Sequence, residues 1–159
     1  MNKTKETKDM YLVVALNEVA WYNKEETKER LKNLPLSFQY TIRKNMKPLA
    51  RMADDFNTFK TEKEQSLKDK WFDEEHSDPT KIKDDNGDEI DARKIKEEFL
   101  EEYEGEVKQL NTQLEKLLSE TDEISFTPID LDSLVEAAGD DTITMEDVDM
   151  ISIFEVDED

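Results

Sequence analysis

Few residues of this chain could carry out catalysis, and their spacing does not assemble a recognisable active site. His76 is the only histidine and lies in the polar run EEHSD. A histidine-dependent nucleophile needs an orienting acid and a nucleophilic side chain beside it, and the linear sequence identifies neither. The chain has no cysteine, which excludes thiolate zinc ligands and a cysteine nucleophile. We therefore interpret His76 as a solvated surface residue and predict no catalytic residue, no cofactor and no enzyme activity.

Acidic side chains are the other candidates, since Asp and Glu total 42. Pairs at i, i+4 occur among the four Glu residues of 97–102, a spacing that places carboxylates on one helix face. Diiron bundles repeat Glu-x-x-His on separate helices, and that motif is absent from the sequence. A carboxylate pair for glycoside hydrolysis stays an alternative, although no two residues single themselves out. The sequence thus favours a solvated acidic helix and predicts no metal site.

The segment DDNGDEID at 84–91 resembles a calcium-binding loop at first sight. With Gly87 at the sixth position of an EF-hand loop, Ile82 and Arg93 would occupy the first and twelfth positions, which require Asp and Glu. Asn86-Gly87 is instead a common pair for a two-residue type I′ turn, and Ile82 and Ile90 flank it. We predict a small β-hairpin here.

The elements around these residues should be helices. Hydrophobic residues make up 35% of the chain and charged residues 40%, with only three Gly and four Pro. This composition argues against a β-sandwich, a barrel or a glycine-dependent nucleotide fold. Apolar residues at steps of three or four predict a long amphipathic helix over about 36–75, kinked or split near 44–47 by Pro48, and a second over about 92–120. We expect them to form a long antiparallel helical hairpin with the β-turn at its tip.

Shorter elements are predicted on both sides of this hairpin. Residues 1–8 should be frayed, and a helix should begin at about Asp9, although YLVVAL alone could equally form a strand. Asn23 is typical of an N-cap, opening a short helix that ends before Pro35.

Beyond residue 120 the hydrophobic period changes. Ile124 and Phe126 alternate with polar residues and predict a short strand or extended arm. Asp132 could cap a helix over 133–138 that Gly139 ends. Thr144 and Asp147 have the spacing of a capping box, followed by a helix whose inward residues would be Met145, Val148 and Ile151. Phe154 and Val156 are predicted to close this small acidic α/β segment. The fold class is therefore mainly α, with this segment and short N-terminal helices added to the hairpin.

Charge is distributed unevenly along the chain. Residues 1–116 hold all 22 Lys and Arg with 27 Asp and Glu, whereas residues 117–159 hold 15 Asp and Glu and no basic residue. We divide the chain into a helical hairpin region, 1–120, and an acidic C-terminal segment, 121–159, packed on it within a single domain. The segment contains too many large apolar residues for a disordered tail. Its carboxylates are the predicted partner-binding residues: Asp140, Asp141, Glu146, Asp147, Asp149, Glu155, Asp157, Glu158 and Asp159.

A net charge of −20 also excludes classes of partner. Direct binding to nucleic acid or to anionic lipid is not expected, because affinity for phosphates comes from Lys and Arg. The apolar run Tyr11–Leu16 is too short for a signal peptide or a membrane span. The cytoplasm is the expected compartment.

One family resemblance can be placed on specific stretches: LPLSFQYTIRKNMKPLARMADDFNTFKTEKEQSLKDKW, the DNGDE turn, FLEEYEGEVKQLNTQLEKLL and EISFTPIDLDSL. In order and type these features resemble a group of small uncharacterised bacteriophage proteins, over about residues 34–134. The resemblance implies a phage origin and carries over no catalytic residue. With a phage origin, the expected compartment is the host-cell cytoplasm, and the virion is the alternative. The resemblance does not cover the first 33 residues or the acidic end.

These observations predict a non-enzymatic protein that binds a basic partner through its acidic surface. One form of this hypothesis is an inhibitor of a host nucleic-acid-binding defence protein, acting by phosphate mimicry. The alternative is a virion or tail-assembly accessory protein that packs through its apolar stripes. Acid that serves only to keep the protein soluble is the simplest competing interpretation. A second copy of the chain could complete the sparse core.

Overall fold

The computed structural model describes residues 5–139 and 142–155, and over these residues the chain is mainly helical with two small antiparallel sheets. The elements in chain order are β1 Glu6–Tyr11, α1 Leu12–Tyr22, α2 Glu25–Leu31, α3 Leu36–Trp71, β2 Ser77–Lys83, β3 Glu89–Ile95, α4 Glu97–Leu117, β4 Thr121–Phe126, α5 Leu131–Ala138, α6 Met145–Ile151 and a 3-10 turn Ser152–Phe154. Two compact units divide the chain. The terminal unit comprises Met1–Asp55 and Leu118–Asp159, and the central unit comprises Phe56–Leu117.

The first strand of the terminal unit corrects the prediction for the N-terminus. Residues 6–11 are neither frayed nor helical but form β1, which pairs antiparallel with β4 from Glu6↔Phe126 to Tyr11↔Thr121. The predicted strand over Ile124 and Phe126 is confirmed, and both side chains are buried. The segment ETKDMY has little strand character of its own, so its conformation depends on backbone pairing with residues more than 100 positions away.

The start of α1 depends on the same pairing. Its N-cap, Tyr11, makes no side-chain cap hydrogen bond. The first amides instead donate to the far end of the chain, Leu12 N to Glu120 O at 2.9 Å and Val13 N to Leu118 O at 3.1 Å. Backbone carbonyls thus satisfy donors that a capping side chain would otherwise take.

The predicted cap of α2 was wrong by one residue. Asn23 is the C-cap of α1, and Lys24 is the N-cap of α2, without a side-chain cap bond. The first turn of α2 carries Glu25 and Glu26, which interact favourably with the helix dipole.

Helix α3 runs unbroken through Pro48, so the predicted split does not occur. The first half of the helix is packed: Ile42, Met46 and Leu49 are buried. Asn45 is also buried, and its side chain donates to Thr127 O and accepts from Thr127 N, both at 2.8 Å. Burial on both sides of Pro48 holds the helix together despite the lost amide donor.

The hydrophobic core of the terminal unit joins the two ends of the sequence. Large, nearly inaccessible side chains of the first 55 residues, including Trp21 and Leu49, share one cluster with Leu134, Ile151 and Phe154. Phe126 and Phe154 pack with ring centroids 5.9 Å apart. The acidic segment is therefore integrated into the core of this unit.

Two predictions for the C-terminal helices need correction. Asp130, not Asp132, is the N-cap of α5, and it accepts from Ser133 N. Met145 is not inward but 76% exposed. The capping box of Thr144 and Asp147 is confirmed, with both of its hydrogen bonds formed.

Two further C-terminal predictions hold within the described residues. Gly139 follows α5 with φ 75°, and Ile151 and Phe154 are buried. Val156 lies outside the described residues.

In the central unit the predicted β-hairpin is present, with Ile82 opposite Ile90. Its turn is not type I′, because that turn requires positive φ at both central residues and Gly87, not Asn86, has positive φ. Gly87 N donates to Asp84 O, and the Asp84 carboxylate accepts from the amides of Asn86 and Asp88. The loop is longer than a two-residue type I′ turn, and the Asp84 side chain holds it in an Asx-type turn.

Candidate interaction surfaces

The acidic C-terminal segment keeps most of its carboxylates at the surface. Among the predicted partner-binding residues, Glu146, Asp149 and Glu155 are exposed. Asp140, Asp141, Asp157, Glu158 and Asp159 lie outside the described residues. Further exposed acids of the segment are Asp122, Glu123, Asp132 and Glu136. Among the seven exposed acids named here, the single ion pair within the described part of the chain joins Glu146 to Lys24 at 3.9 Å.

Asp147 has a different environment from its neighbours and is fully buried. Its Oδ2 accepts from Arg30 Nε at 2.7 Å, and its Oδ1 accepts from Arg30 Nη2 and Trp21 Nε1, both at 2.9 Å. Oδ2 also accepts from Thr144 N at 3.0 Å. This carboxylate is committed to the fold, so the exposed acidic surface does not include it.

Opposing effects set the acidity of this carboxylate. Burial raises the pKa of Asp147, but hydrogen bonds from Arg30, the Thr144 amide and Trp21 outweigh burial and lower the pKa to about 2. Asp147 in turn raises the pKa of Arg30. The pair is ionised throughout the physiological range, and it ties α6 to α1 and α2.

The N-terminal part of this unit supplies the opposite charge. Residues 1–55 contain 11 Lys and Arg against 8 Asp and Glu, whereas residues 118–159 contain 15 acids and no base. Lys8 Nζ donates to Ile153 O at 3.0 Å, and Lys24 and Arg30 pair with α6. A share of the acid in the C-terminal segment therefore balances positive charge within the same unit.

Glu18 of α1 is another buried acid, and it is not among the residues predicted from the sequence. It is 2% exposed, and its Oε2 has no hydrogen-bond partner among the residues that the structure describes. Burial raises the pKa of Glu18 to about 8, and the positive charge of Lys8 opposes this effect. A protonated carboxyl is the form that such a site favours at neutral pH. A charged residue at a core-facing helix position is the only sequence signal for it.

A groove of about 630 Å³ opens between α2 and the start of α3. Leu31 and Ile42 are buried at its base, while Leu36 and Tyr40 are 79% and 64% exposed beside it. Its charged lining residues are all basic, namely Lys28, Lys32 and Arg43. On a chain in which acids outnumber bases almost two to one, this is a local reversal of charge.

His76 in the central unit differs from the solvated residue that the sequence predicted. Its side chain is 22% exposed. The ring lies 5.1 Å from that of Trp71 and 4.8 Å from that of Phe99, centroid to centroid. Nδ1 is 2.7 Å from Asp73 Oδ1, and hydrogen bonds from the backbone and side chain of His76 lower the pKa of Asp73. The imidazole is thus a member of an aromatic cluster at the end of α3.

Among the described residues, Asp73, Glu75 and His76 form a group that could hold a metal ion, since one ligand atom of each lies within 4.8 Å of the others. Both carboxylates are exposed. Two carboxylates and an imidazole suit several divalent cations, but exposed clusters of this kind are common on acidic surfaces. The grouping carries no assignment of a metal site.

Comparison with known proteins found no matching family model, no matching curated protein and no matching solved structure. Among the described residues, no helix has the length and apolar character needed to cross a membrane.

Proposed function

We propose that this protein is a non-enzymatic phage interaction protein that binds a basic protein partner through the exposed acids of its C-terminal segment. The observation that carries the proposal is the exposure of these acids on folded elements, with one ion pair, within the described residues, among the seven named above. A fixed array of carboxylates attracts a basic surface and speeds encounter at low salt. A nucleic-acid-binding host defence protein, blocked by mimicry of phosphate charge, is the specific form of the hypothesis.

The internal pairing of Asp147 decides how this proposal should be tested. Neutralising Asp147 would disturb α6 itself, so loss of binding in such a variant would have two explanations. E146Q/D149N/E155Q removes three exposed charges and leaves the Arg30 pair intact. E101Q/E102Q/E104Q removes three exposed charges from α4 and is the matched control.

The experiment is capture from host lysate with wild-type and variant baits, followed by elution across a salt gradient. We expect wild type and the α4 control to retain a basic nucleic-acid-binding protein that rising salt releases. The E146Q/D149N/E155Q bait should retain markedly less of it. Equal recovery by all three baits, or binding that resists high salt, would contradict the proposal and leave solubility as the role of these charges.

A second candidate function, assembly on phage structural subunits, is favoured by the thin core of the central unit. Across Phe56–Leu117 the buried residues are Trp71, Ser77, Ile95 and Leu114. Exposed apolar side chains of the same unit are Phe59, Ile82, Ile90 and Leu100. A unit that buries so little apolar surface gains stability from a partner, either a structural subunit or a second copy of this chain.

In this assembly proposal, α3 and α4 form an antiparallel hairpin. Lys70 and Trp71, at the end of α3, donate to Glu106 of α4. Lys63, which precedes them on α3, lines a shallow groove together with Gln113, which follows Glu106 on α4. This order of contacts supports opposite helix directions. Many copies of the protein in purified virions would favour assembly, and their absence would favour the acidic-surface proposal.

A further inference from the structure

The groove between α2 and α3 carries basic side chains, whereas the whole chain has a net charge of −20. Its base is apolar, from Leu31 and Ile42, and Lys28, Lys32 and Arg43 supply its charge. Among the described residues, no Asp or Glu lines it. From these observations we infer a second binding site, which takes an acidic amphipathic segment of a partner protein. This inference is independent of the acidic surface proposed above.

Two of the three cations are available to a ligand. Lys28 and Arg43 are exposed and have no ion pair within the described part of the chain. Lys32 is already paired with Glu29 at 3.1 Å. Lys28 lies on α2 and Arg43 on α3, so a ligand in the groove would have one free cation from each helix.

The apolar residues of the groove favour a ligand that carries apolar groups as well as negative charge. Leu36 and Tyr40 lie on successive turns of α3, and both are well exposed. Bringing apolar ligand surface against them and against Leu31 removes that surface from water, which favours binding. Free phosphate offers no apolar group to this surface, and a nucleic-acid backbone offers only sugars between charged phosphates. A peptide with leucine or phenylalanine on one face and carboxylates beside it matches both features.

The walls of the groove are held in place before any ligand arrives. Gln39 Nε2 donates to the carbonyls of Lys32 and Leu34, at 3.1 and 2.7 Å, and so fixes the turn between α2 and α3. The Arg30 pair with Asp147 anchors the other side of α2 to α6. A preformed groove loses little conformational entropy on binding.

The probe is a short fluorescein-labelled amphipathic helical peptide made of Glu, Leu and Phe, measured by anisotropy against the full chain. Salt of about 0.15 M screens the long-range repulsion from the net charge beyond about 8 Å while leaving close contacts effective. The control peptide has every Glu replaced by Gln. We expect at least about tenfold weaker binding of the control peptide.

Two variants locate the site. K28Q/R43Q should raise the dissociation constant of the acidic peptide about tenfold or more, and L36A/Y40A should do the same. K68Q/K108Q, which removes two exposed lysines of the central unit, should change it less than about twofold. All four groove side chains are exposed, so circular dichroism should show an unchanged fold.

Several outcomes would overturn the inference. These are an acidic peptide that does not bind, equal binding of the Gln peptide, and binding that neither groove variant weakens. Tighter binding of a labelled single-stranded oligonucleotide, or of vesicles containing anionic lipid, would assign the groove to phosphates instead. Failure here leaves the acidic-surface proposal intact, because its variants and its partner are different.

Discussion

Arg30 and Asp147 form a two-point ion pair, with Nε to Oδ2 at 2.7 Å and Nη2 to Oδ1 at 2.9 Å. The two residues are 117 positions apart, and their pairing joins α2 to α6 of the acidic segment. The Arg30 side chain is 29% exposed and that of Asp147 is inaccessible. One carboxylate of the predicted binding set is therefore a structural element of the terminal unit.

We expect D147N to destabilise the protein by about 2–4 kcal/mol, because it leaves Arg30 without its partner and weakens the hydrogen bonds to Trp21 and Thr144. D149N, an exposed change on the same helix, should stay within about 0.5 kcal/mol of wild type. Urea unfolding at pH 7 measures both. Equal stability of the two variants would show that the buried pair contributes nothing net.

The same pair sets an acid limit on stability. The pKa of Asp147 is about 2 in the folded protein, below its ordinary value of 3.8. Its contribution is present above about pH 4 and is lost as the pH falls toward 2 and below. Between pH 5 and pH 2 wild type should lose more stability than D147N. Parallel curves for the two proteins would contradict this assignment.

Glu18 should act in the opposite direction. Its folded pKa of about 8 lies above its ordinary value of 4.5, so folding takes up a proton between these values. Glu18 thus makes folding progressively less favourable as the pH rises from about 4.5 to 8, with the full effect above that. E18Q should be more stable than wild type by about 2–3 kcal/mol at pH 7.

The pH dependence distinguishes this effect from a general change in packing. At pH 5 the advantage of E18Q should shrink to below about 1 kcal/mol, because this pH is only slightly above the ordinary pKa of 4.5, where the cost of protonating Glu18 on folding begins to accumulate. E62Q, an exposed change on α3, should show no such trend. An advantage of E18Q that does not vary with pH would refute the burial of a titrating carboxyl.

Asn45 provides a test of how α3 is attached to the segment after β4. N45A removes both 2.8 Å hydrogen bonds to the Thr127 backbone and should destabilise the protein by about 2–3 kcal/mol. N57A, at an exposed position of the same helix, is the control. Hydrogen exchange at the Thr127 amide should accelerate in N45A by more than global destabilisation explains. Unchanged protection there would disprove the attachment.

Two glycines should respond in opposite ways to alanine. Gly105 lies within α4 with no atom within 4 Å of an added Cβ, so G105A should stabilise by about 0.5–1 kcal/mol through helix propensity. Gly139 has φ 75°, and G139A should destabilise by about 1 kcal/mol because alanine is strained there. Thermal unfolding compares the two, and a shift of the same sign in both would contradict the local backbone argument.

Local sequence patterns determined those elements whose causes lie within a few residues. The 3.6-residue stripe predicted α3 to within four residues at its C-terminus, the Thr144 and Asp147 spacing predicted a real capping box, and the isoleucines around Asn86-Gly87 predicted a hairpin. These depend on helix periodicity, capping and cross-strand pairing between near neighbours in sequence. Turn type was not determined in this way, since Asp84 lengthens the loop.

Tertiary structure alone decided which charges face solvent and which pair internally. Glu146, Asp147 and Asp149 are all acidic and lie within one turn of α6, yet Asp147 is buried and the other two are exposed. Asp147 is buried because Arg30 and Trp21 lie on the face that α6 turns inward. β1 likewise exists through pairing with residues 121–126. The basic groove needed α2 and α3 to be brought side by side. The free energies that bury Asp147, pair β1 with β4 and form the groove come from contacts between segments distant in sequence. Composition and hydrophobic periodicity do not reveal such contacts.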